Sequence, residues 1–265
     1  MSFEIVAHRG ASGDAPENTL AAIRLAWAQQ ADAAEIDVRL TADGQIVAFH
    51  DPRTLRTTGQ DLAIAKSTLA DLKSLDAGRW KGEEWIGERI PTLTEILAAV
   101  PDGKRLFVEI KCGKEIIPEF LRILEQTQTT QKVVAIAYGF NVLAELKRQH
   151  PEVTALQILR LSKNPKTKQE GSPTLVEWIE PMKSAGLDGF DLGITKLLDA
   201  SASRNLIAQG FQLAAWTIND PAEARRLLEI GVRSITTDLP GHLRQELTLP
   251  DRDHDQTAPV AMGEG

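Results

Sequence analysis

The sequence predicts a single closed parallel (β/α)8 barrel, a TIM barrel, with a small insertion after the second strand. Eight short apolar runs alternate along the chain with helical or amphipathic stretches, as in repeated β-α units. The 265 residues and 42% hydrophobic content suit one large α/β domain or two small ones. A doubly wound open sheet is the alternative, but Gly10-Ala-Ser-Gly13 is too short for its glycine-rich phosphate fingerprint and lacks the third glycine.

The apolar runs predict the strands, and the periodic stretches between them predict the helices. The barrel strands are expected at 4–8, 34–40, 105–111, 133–137, 153–159, 187–192, 211–217 and 232–236, with a hairpin strand at 46–49. The helices are expected from 18 or 19 onward, at 92–100, 116–128, 142–148, 174–185, 196–208 and 220–231, with a last helical turn after 240. Thr92 and Glu95 form a capping box, and Asp220-Pro221 is a typical helix start.

The second strand and the segment after it are predicted to form a hairpin with a charged face. Glu35 and Asp37 are two residues apart, so both side chains lie on one face of the strand. If Asp43-Gly44 forms the centre of the turn, Asp37 lies opposite His50. A four-residue loop over 41–44 places Glu35 there instead, and a three-residue loop turns the imidazole away.

Other segments are predicted to lie outside the barrel elements. Residues 51–91 are polar and interrupted by glycine, so they are expected to be a small insertion within a single catalytic domain of residues 1–248, anchored by Trp80 and Trp85. The tail, 249–265, is polar and aperiodic and is expected to be disordered. The loop 160–172 carries Lys163, Lys166 and Lys168, which are expected to be solvated rather than bound to an anion.

Composition excludes several classes of protein. The formal net charge of -7 argues against a nucleic-acid surface or stable association with an anionic membrane. A single cysteine, Cys112, excludes an internal disulfide and fits a reducing compartment. The N-terminus lacks the pattern of a signal peptide, and no apolar run approaches the ~20 residues of a membrane span. We therefore expect a soluble cytoplasmic protein.

Polar residues close several of the apolar runs, and in a TIM barrel the carboxyl ends of the strands carry the functional site. These residues are His8, Arg9, Glu35, Asp37, Glu109, Lys111 and Trp216. Each has an ordinary structural explanation when taken singly, but the barrel brings all of them to one mouth. Carboxylates on one sheet face are costly without a neutralising cation. Three carboxylates without sulfur ligands favour Mg²⁺ or Ca²⁺ over zinc.

The remaining residues of this set predict the chemistry of the ligand. Arg9 and Lys111 with a cation would make a positive pocket in an acidic protein, which suits an anionic substrate such as a phosphate ester. His8 and His50 form a plausible general acid and base pair, because imidazole titrates near neutral pH.

A series of short motifs resembles those of the glycerophosphodiester phosphodiesterase family. They follow the family's order and span residues 8 to 238. The motifs are His8-Arg9-Gly10, Pro16-Glu17-Asn18-Thr19, Glu35-Ile-Asp37, Leu40-Thr41-Ala-Asp43-Gly44, His50-Asp51, Glu109-Ile-Lys111, Trp216-Thr-Ile-Asn219 and Thr237-Asp238. The segment 51–91 is similar to the small insertion of that family. Two places depart from its pattern, Ala137-Tyr138-Gly139-Phe140 and Gly193-Ile194, and they bear on substrate breadth.

The resemblance implies a metal-dependent hydrolase that splits glycerophosphodiesters into sn-glycerol 3-phosphate and an alcohol. It implies these roles: Glu35, Asp37 and Glu109 as ligands of one Mg²⁺ or Ca²⁺, His8 and His50 as acid and base, Arg9 and Lys111 on the phosphate, Glu17 as an orienting residue, and Trp216 against the glycerol or the leaving group. In the family mechanism the substrate's glycerol hydroxyl attacks phosphorus, and water then opens a cyclic phosphate. The alternatives are a catalytically silent barrel that binds phosphorylated ligands and a lyase-type phospholipase that stops at the cyclic product.

Overall fold

The computed structural model describes residues 3–161, 175–193 and 195–248. Within them, eight strands pair in parallel and close into a barrel, and one further strand, β3, pairs antiparallel with β2. The strands are β1 (Glu4–Ala7), β2 (Ala33–Leu40), β3 (Ile46–Ala48), β4 (Arg105–Ile110), β5 (Val133–Ala137), β6 (Thr154–Arg160), β7 (Gly189–Gly193), β8 (Gln212–Ala215) and β9 (Ser234–Thr237). The TIM-barrel prediction is therefore confirmed.

The barrel closes because the first strand pairs on both sides. Around the ring the order is β1-β9-β8-β7-β6-β5-β4-β2, and β2 returns to β1. Val6 and Ala7 of β1 pair with Ala33 and Ala34 of β2, and Ala7 also pairs with Thr237 of β9. No barrel strand of the described chain is left with an unpaired edge at this closure.

Helices cover the outside of the barrel. They are α1 (Leu20–Ala28), α2 (Leu55–Thr58), α3 (Leu69–Lys73), α4 (Leu93–Ala98), α5 (Ile117–Thr127), α6 (Phe140–Gln149), α7 (Ile179–Ala185), α8 (Ala200–Ala208), α9 (Pro221–Glu229) and α10 (Pro240–Thr248). The predicted caps are present: Thr19 accepts a hydrogen bond from the Ala22 N–H, and Thr92 and Glu95 form the capping box of α4. None of the helices in the described ranges is long and apolar enough to span a membrane.

Two layers of apolar side chains hold the barrel together. The larger layer lies between the strands and the helices and includes Phe120, Leu143 and Phe190, all fully buried. The smaller layer fills the barrel interior with Val6, Ala33, Phe107, Val134, Ile136, Leu156, Ile158 and Ala214. Trp216 packs against this inner layer. Because side chains fill the interior, the barrel is not an open channel, and a site at the carboxyl ends of the strands has a closed floor.

Two helices begin later than the sequence pattern predicts. Residues 175–178 form turns, and α7 begins at Ile179; residue 174 lies outside the described residues. Helix α8 begins at Ala200 because Asp199 caps it, accepting from the Ala202 N–H, and 195–197 form a separate 3-10 turn. The tail 249–265 and the loop lysines Lys163, Lys166 and Lys168 also lie outside the described residues.

Of the three loop lengths considered for the hairpin, the structure has the three-residue loop, so neither Asp37 nor Glu35 lies opposite His50 in a strand pair. Val38 pairs with Ala48 and Leu40 with Ile46, which corresponds to a three-residue loop over 42–44. Gly44 has φ 76°, the left-handed conformation that such a loop requires. A three-residue loop was expected to turn His50 away from the carboxylates, but His50 lines the same cavity as Glu35 and Glu109. The reason is that β3 ends at Ala48, so strand alternation does not set the direction of the residues beyond Phe49.

The insertion packs under the hairpin through a small apolar cluster of its own. The cluster contains Val47, Phe49, Ile64, Leu72, Leu75, Ala77 and Ile90, all buried. Trp80 is 41% exposed, and Trp85 is only half-buried, so the prediction that the two tryptophans anchor this segment is wrong for Trp80. Lys81 instead joins the segment to the barrel, donating hydrogen bonds to the carbonyl oxygens of Ser12 and Gly13 at 2.7 and 2.9 Å.

Candidate active site

Three acidic side chains converge at the carboxyl ends of β2 and β4. These strands pair in parallel with Asp37 opposite Glu109, and Glu35 lies one inward position below Asp37. One carboxylate oxygen from each of Glu35, Asp37 and Glu109 lies within 4.8 Å of the others. The predicted cluster is therefore present, and all of its donors are oxygen atoms.

The cluster fits a hard divalent cation. Oε1 of Glu35 is buried and accepts no hydrogen bond from the described residues. A buried acceptor without a donor is costly, and a cation bound beside it would supply the missing partner. Carboxylate oxygens are the ligands that Mg²⁺ and Ca²⁺ prefer, so the donor set agrees with either ion.

Asp37 is neutralised by two cationic side chains. Its Oδ2 lies 3.1 Å from Nε of Arg9, and its Oδ1 lies 3.1 Å from Nζ of Lys111. Asn18 donates a further hydrogen bond to Oδ2 at 2.8 Å. Burial alone would raise the pKa of Asp37, but Arg9 and Lys111 hold it below its ordinary value. Asp37 is thus a stable carboxylate in the buried site.

The pKa of Glu35 is shifted in the opposite direction, above its ordinary value. Burial, together with the nearby charge of Asp37, raises the pKa of Glu35 to about 8. Burial and Asp37 also raise the pKa of Glu109, although Lys111 lies 2.5 Å from its Oε1 and opposes that shift. Glu35 and Glu109 thus give up their protons less readily unless another positive charge lies beside them, which again favours a bound metal ion.

The loop after β1 adopts backbone conformations that hold this arrangement. Arg9 and Asn18 have φ values of 54° and 57°, which are uncommon for residues with a side chain. Gly10 has φ 80°, and a Cβ there would lie 2.6 Å from the backbone carbon of Ala22. This turn allows the Arg9 N–H to donate to Oε2 of Glu35 at 2.9 Å. Only glycine can bring the loop this close to α1.

His8 is held by an aspartate that directly follows the last barrel strand. Nδ1 of His8 lies 2.7 Å from Oδ1 of Asp238, which also accepts a hydrogen bond from Ser12. Burial would lower the pKa of His8, but the hydrogen bond to Asp238 and the charge of Glu35 raise it above 6.5 against the opposing charge of Arg9. With Nδ1 bound to a carboxylate, Nε2 is the nitrogen that can exchange a proton with a ligand.

His50 is supported in the same way by its neighbour. Its Nδ1 lies 2.6 Å from Oδ1 of Asp51, and Arg56 of the insertion donates to Oδ2 of Asp51 at 2.6 Å. Arg56 also donates to both oxygens of Glu17, at 2.7 and 2.8 Å, and Glu17 accepts from Arg9 at 2.9 Å. A continuous chain of charged hydrogen bonds thus joins His50 to the acidic cluster.

All nine predicted site residues lie in or beside one cavity of about 200 Å³. His8, Arg9, Glu35, His50, Glu109, Lys111 and Trp216 line it, together with Tyr138, Arg160 and Thr236. Asp37 and Glu17 do not line the cavity but hold Arg9 and Lys111, which do. The two histidines and the acidic cluster therefore face the same small volume.

Several residues of the site were given no role from the sequence. Asp51 and Asp238 stand in the motifs His50-Asp51 and Thr237-Asp238, but their contacts with the two histidines were not predicted. Arg56 lies in the polar insertion, where nothing in the local sequence points toward Glu17. Asp191 on β7 is fully buried, its Oδ1 has no hydrogen-bond partner, and burial with the charges of Glu109 and Glu35 raises its pKa well above the ordinary value.

The fold and the site together define a class of protein: a (β/α)8 barrel whose mouth combines an acidic cluster that could hold a metal ion, two cationic side chains and two aspartate-bound histidines. The profile of the glycerophosphoryl diester phosphodiesterase family matches residues 8–242. The chain belongs to that family and is an enzyme of the phosphodiesterase class.

Individual relatives agree with this assignment. A glycerophosphodiester phosphodiesterase of Caldanaerobacter subterraneus is 31% identical over 248 residues, which cover 91% of this chain and 96% of the relative. One of Bacillus subtilis is 29% identical over 252 residues, covering 89% and 83%. A solved structure of an Oleispira antarctica phosphodiesterase in complex with the product sn-glycerol-3-phosphate has 32% identity and a TM-score of 0.80, covering 92% of this chain and 96% of that one.

Proposed function

We propose that this enzyme hydrolyses glycerophosphodiesters to sn-glycerol 3-phosphate and an alcohol, with one bound Mg²⁺ or Ca²⁺. The observation that carries the proposal is the convergence of the acidic cluster and two aspartate-supported histidines on one cavity of about 200 Å³. The Oleispira antarctica phosphodiesterase was solved in complex with its product sn-glycerol-3-phosphate, which supports the choice of product.

Glu35, Asp37 and Glu109 would hold the cation, since their oxygens lie within 4.8 Å of one another. When bound, the ion supplies positive charge at the phosphoryl oxygens. Arg9 and Lys111 add further positive charge, and both are fixed by ion pairs with Asp37 before any substrate binds. Charges that are already oriented stabilise the developing negative charge without reorganisation.

The histidines manage the protons of two successive steps. One imidazole takes the proton of the glycerol hydroxyl while the hydroxyl oxygen forms a bond to phosphorus. The other imidazole donates a proton to the leaving alcohol while the bond between phosphorus and the alcohol oxygen breaks. Water then opens the resulting cyclic phosphate with the two roles reversed, which regenerates both histidines. Asp238 and Asp51 stabilise His8 and His50 in the protonated form that each must pass through.

The other predicted residues act on position and shape. Glu17 orients Arg9 and Arg56 by accepting hydrogen bonds from both. Trp216 lies on the cavity wall and meets Tyr138 edge to face, with the ring centroids 6.2 Å apart. Tyr138 belongs to the segment that departs from the family pattern, so it bears on which alcohols fit beside Trp216.

A head-group panel tests the proposal. Purified protein with Mg²⁺ or Ca²⁺ is expected to release sn-glycerol 3-phosphate from several glycerophosphodiesters, and EDTA is expected to abolish the release until the ion is restored. Phosphorus NMR identifies the product. A cyclic phosphate as the final product would instead favour the lyase-type reaction, and ligand binding without turnover would favour the silent barrel.

Replacing Asp238 with asparagine is expected to move the pH profile. Hydrogen bonds from His8, Asn219 and Ser12 overcome burial and lower the pKa of Asp238 to about 2, so it is charged at every working pH. Removing that charge lowers the pKa of His8, because Asp238 is the largest contribution that raises it. The limb of the kcat/KM profile that His8 controls should therefore move to lower pH.

The exposed Asp102, which pairs with Lys132 on the outer surface, provides the matched control. Asp102→Asn should leave both limbs in place. If Asp238→Asn also leaves both limbs unchanged while the protein remains folded, His8 is not one of the groups that titrate in catalysis.

A further inference from the structure

A second cleft lies against the catalytic cavity, on the far side of Trp216. Its volume is about 400 Å³, and Trp216 and Arg160 line both spaces. The side chains of the cleft that matter here are Lys196, Asp220 and Glu223, with Thr195 between them. A ligand held in the catalytic cavity can therefore extend past Trp216 into this cleft.

The catalytic cavity by itself is small for a complete diester. Sites that bury a whole small ligand typically measure about 300–1,000 Å³, whereas this cavity measures about 200 Å³. In the proposed reaction the glycerol hydroxyl must reach phosphorus beside the histidines, so the glycerol half stays in the catalytic cavity. The alcohol half is the part that is free to occupy the second cleft.

The acidic residues of the cleft are already engaged. Glu223 accepts from Nε and a terminal nitrogen of Arg226 at 2.8 Å each, and from the Thr195 hydroxyl at 2.6 Å. Asp220 caps α9 by accepting from the Ala222 N–H at 3.0 Å. The charge of Glu223 is therefore offset by Arg226, and the charge of Asp220 is directed to the N-terminus of α9.

The two basic residues of the cleft, Arg160 and Lys196, are not neutralised by an ion pair within the described residues. Within the described part of the chain, neither Arg160 nor Lys196 has a carboxylate within ion-pair distance, although Lys196 acts on Glu223 electrostatically. The guanidinium carbon of Arg160 lies 5.9 Å from the centre of the Trp216 ring. A quaternary ammonium group binds most favourably over an aromatic face, and Arg160 already occupies that position over Trp216.

We propose that this cleft binds the leaving-group alcohol, and that Arg160 and Lys196 favour alcohols that carry a carboxylate or a second phosphate over choline. The inference rests on the proposed function, because it assigns the second half of the same substrate. Lys196 and Arg160 act as specificity-determining residues: their open positive charges attract an anionic alcohol, and Arg160 blocks the aromatic face against a cationic one.

The test compares kcat/KM for glycerophosphoserine and glycerophosphocholine in the wild type, Lys196→Met and Lys196→Glu. The wild type should prefer the serine diester. Loss of one exposed ion pair should reduce the serine-to-choline ratio by about fivefold in Lys196→Met, and Lys196→Glu should reduce it further. Added NaCl should weaken the preference of the wild type more than that of Lys196→Met, because salt screens exposed charges.

Lys183→Met is the matched control. Lys183 is exposed in the last turn of α7, and its ammonium group donates to Gln209 and to no other side chain of the described residues, so its loss should leave the ratio unchanged. Turnover with an unchanged ratio in both Lys196 variants would overturn the inference and leave the proposed function standing. An equal loss for all diesters would also overturn it, since Lys196 would then act on the shared glycerophosphate half. Absence of turnover with every diester in the wild type would defeat the proposed function, and the inference with it.

Discussion

Alanine at His8 or at His50 is expected to reduce kcat by a factor of about 10²–10⁴, the usual contribution of a positioned acid or base. Each imidazole is bound through Nδ1 to an aspartate, at 2.7 Å for His8 and 2.6 Å for His50. Alanine removes the proton carrier but keeps the acidic cluster and its cations. KM should therefore change much less than kcat, and the effect should be measured with the cation saturating.

The double variant tells whether the two histidines act in one step. Residues that act as a unit have strongly non-additive effects. His8→Ala/His50→Ala should therefore lose little more activity than the worse single variant. His150→Ala is the matched control, because His150 pairs with Glu152 outside the site, at 3.0 Å, and should keep full activity. Single variants that retain wild-type kcat would remove the histidines from the mechanism.

The acidic cluster could be anticipated from the sequence because it depends on two regular features. Period-two spacing places Glu35 and Asp37 on one face of β2, and parallel pairing brings Glu109 of β4 beside Asp37. Strand alternation and barrel closure are set by local hydrophobic patterns, and those patterns were clear. The position of His8 followed from the same rule, since it directly follows β1.

The features of the site that could not be predicted depend on whether a loop is one residue longer or shorter, or on contacts between residues far apart in the sequence. A change from two to three residues in the hairpin loop reverses the expected face of His50, yet the strand ends before that residue. Arg56 meets Glu17 across 39 positions of sequence, through a segment without periodic structure. Asp191 follows Phe190 in an apolar run. Nothing in the sequence indicated that its carboxylate would be buried with Oδ1 lacking a hydrogen-bond donor.

Replacement of Lys111 by methionine should make the thermal stability of this enzyme depend on the proposed Mg²⁺ or Ca²⁺. Nζ of Lys111 lies 3.1 Å from Asp37 and 2.5 Å from Glu109, and its side chain is only 15% exposed. Breaking a buried ion pair by removing one partner typically costs about 3–5 kcal/mol. For a chain of this size, a loss of that order corresponds to a fall in Tm of roughly 10 °C.

The decisive measurement is Tm against the concentration of Mg²⁺ or Ca²⁺ for the wild type and Lys111→Met. In the variant, Arg9 is the one cation of the described residues that still forms an ion pair with the acidic cluster, so a bound ion relieves more repulsion, and Tm should rise further with added ion than in the wild type. Lys147→Met is the matched control: Lys147 is also buried and paired, with Asp188 at 3.0 Å, but it is remote from the cluster. Its loss should lower Tm without any added dependence on the ion. Equal responses of Lys111→Met and Lys147→Met would show that Glu35, Asp37 and Glu109 do not hold the cation.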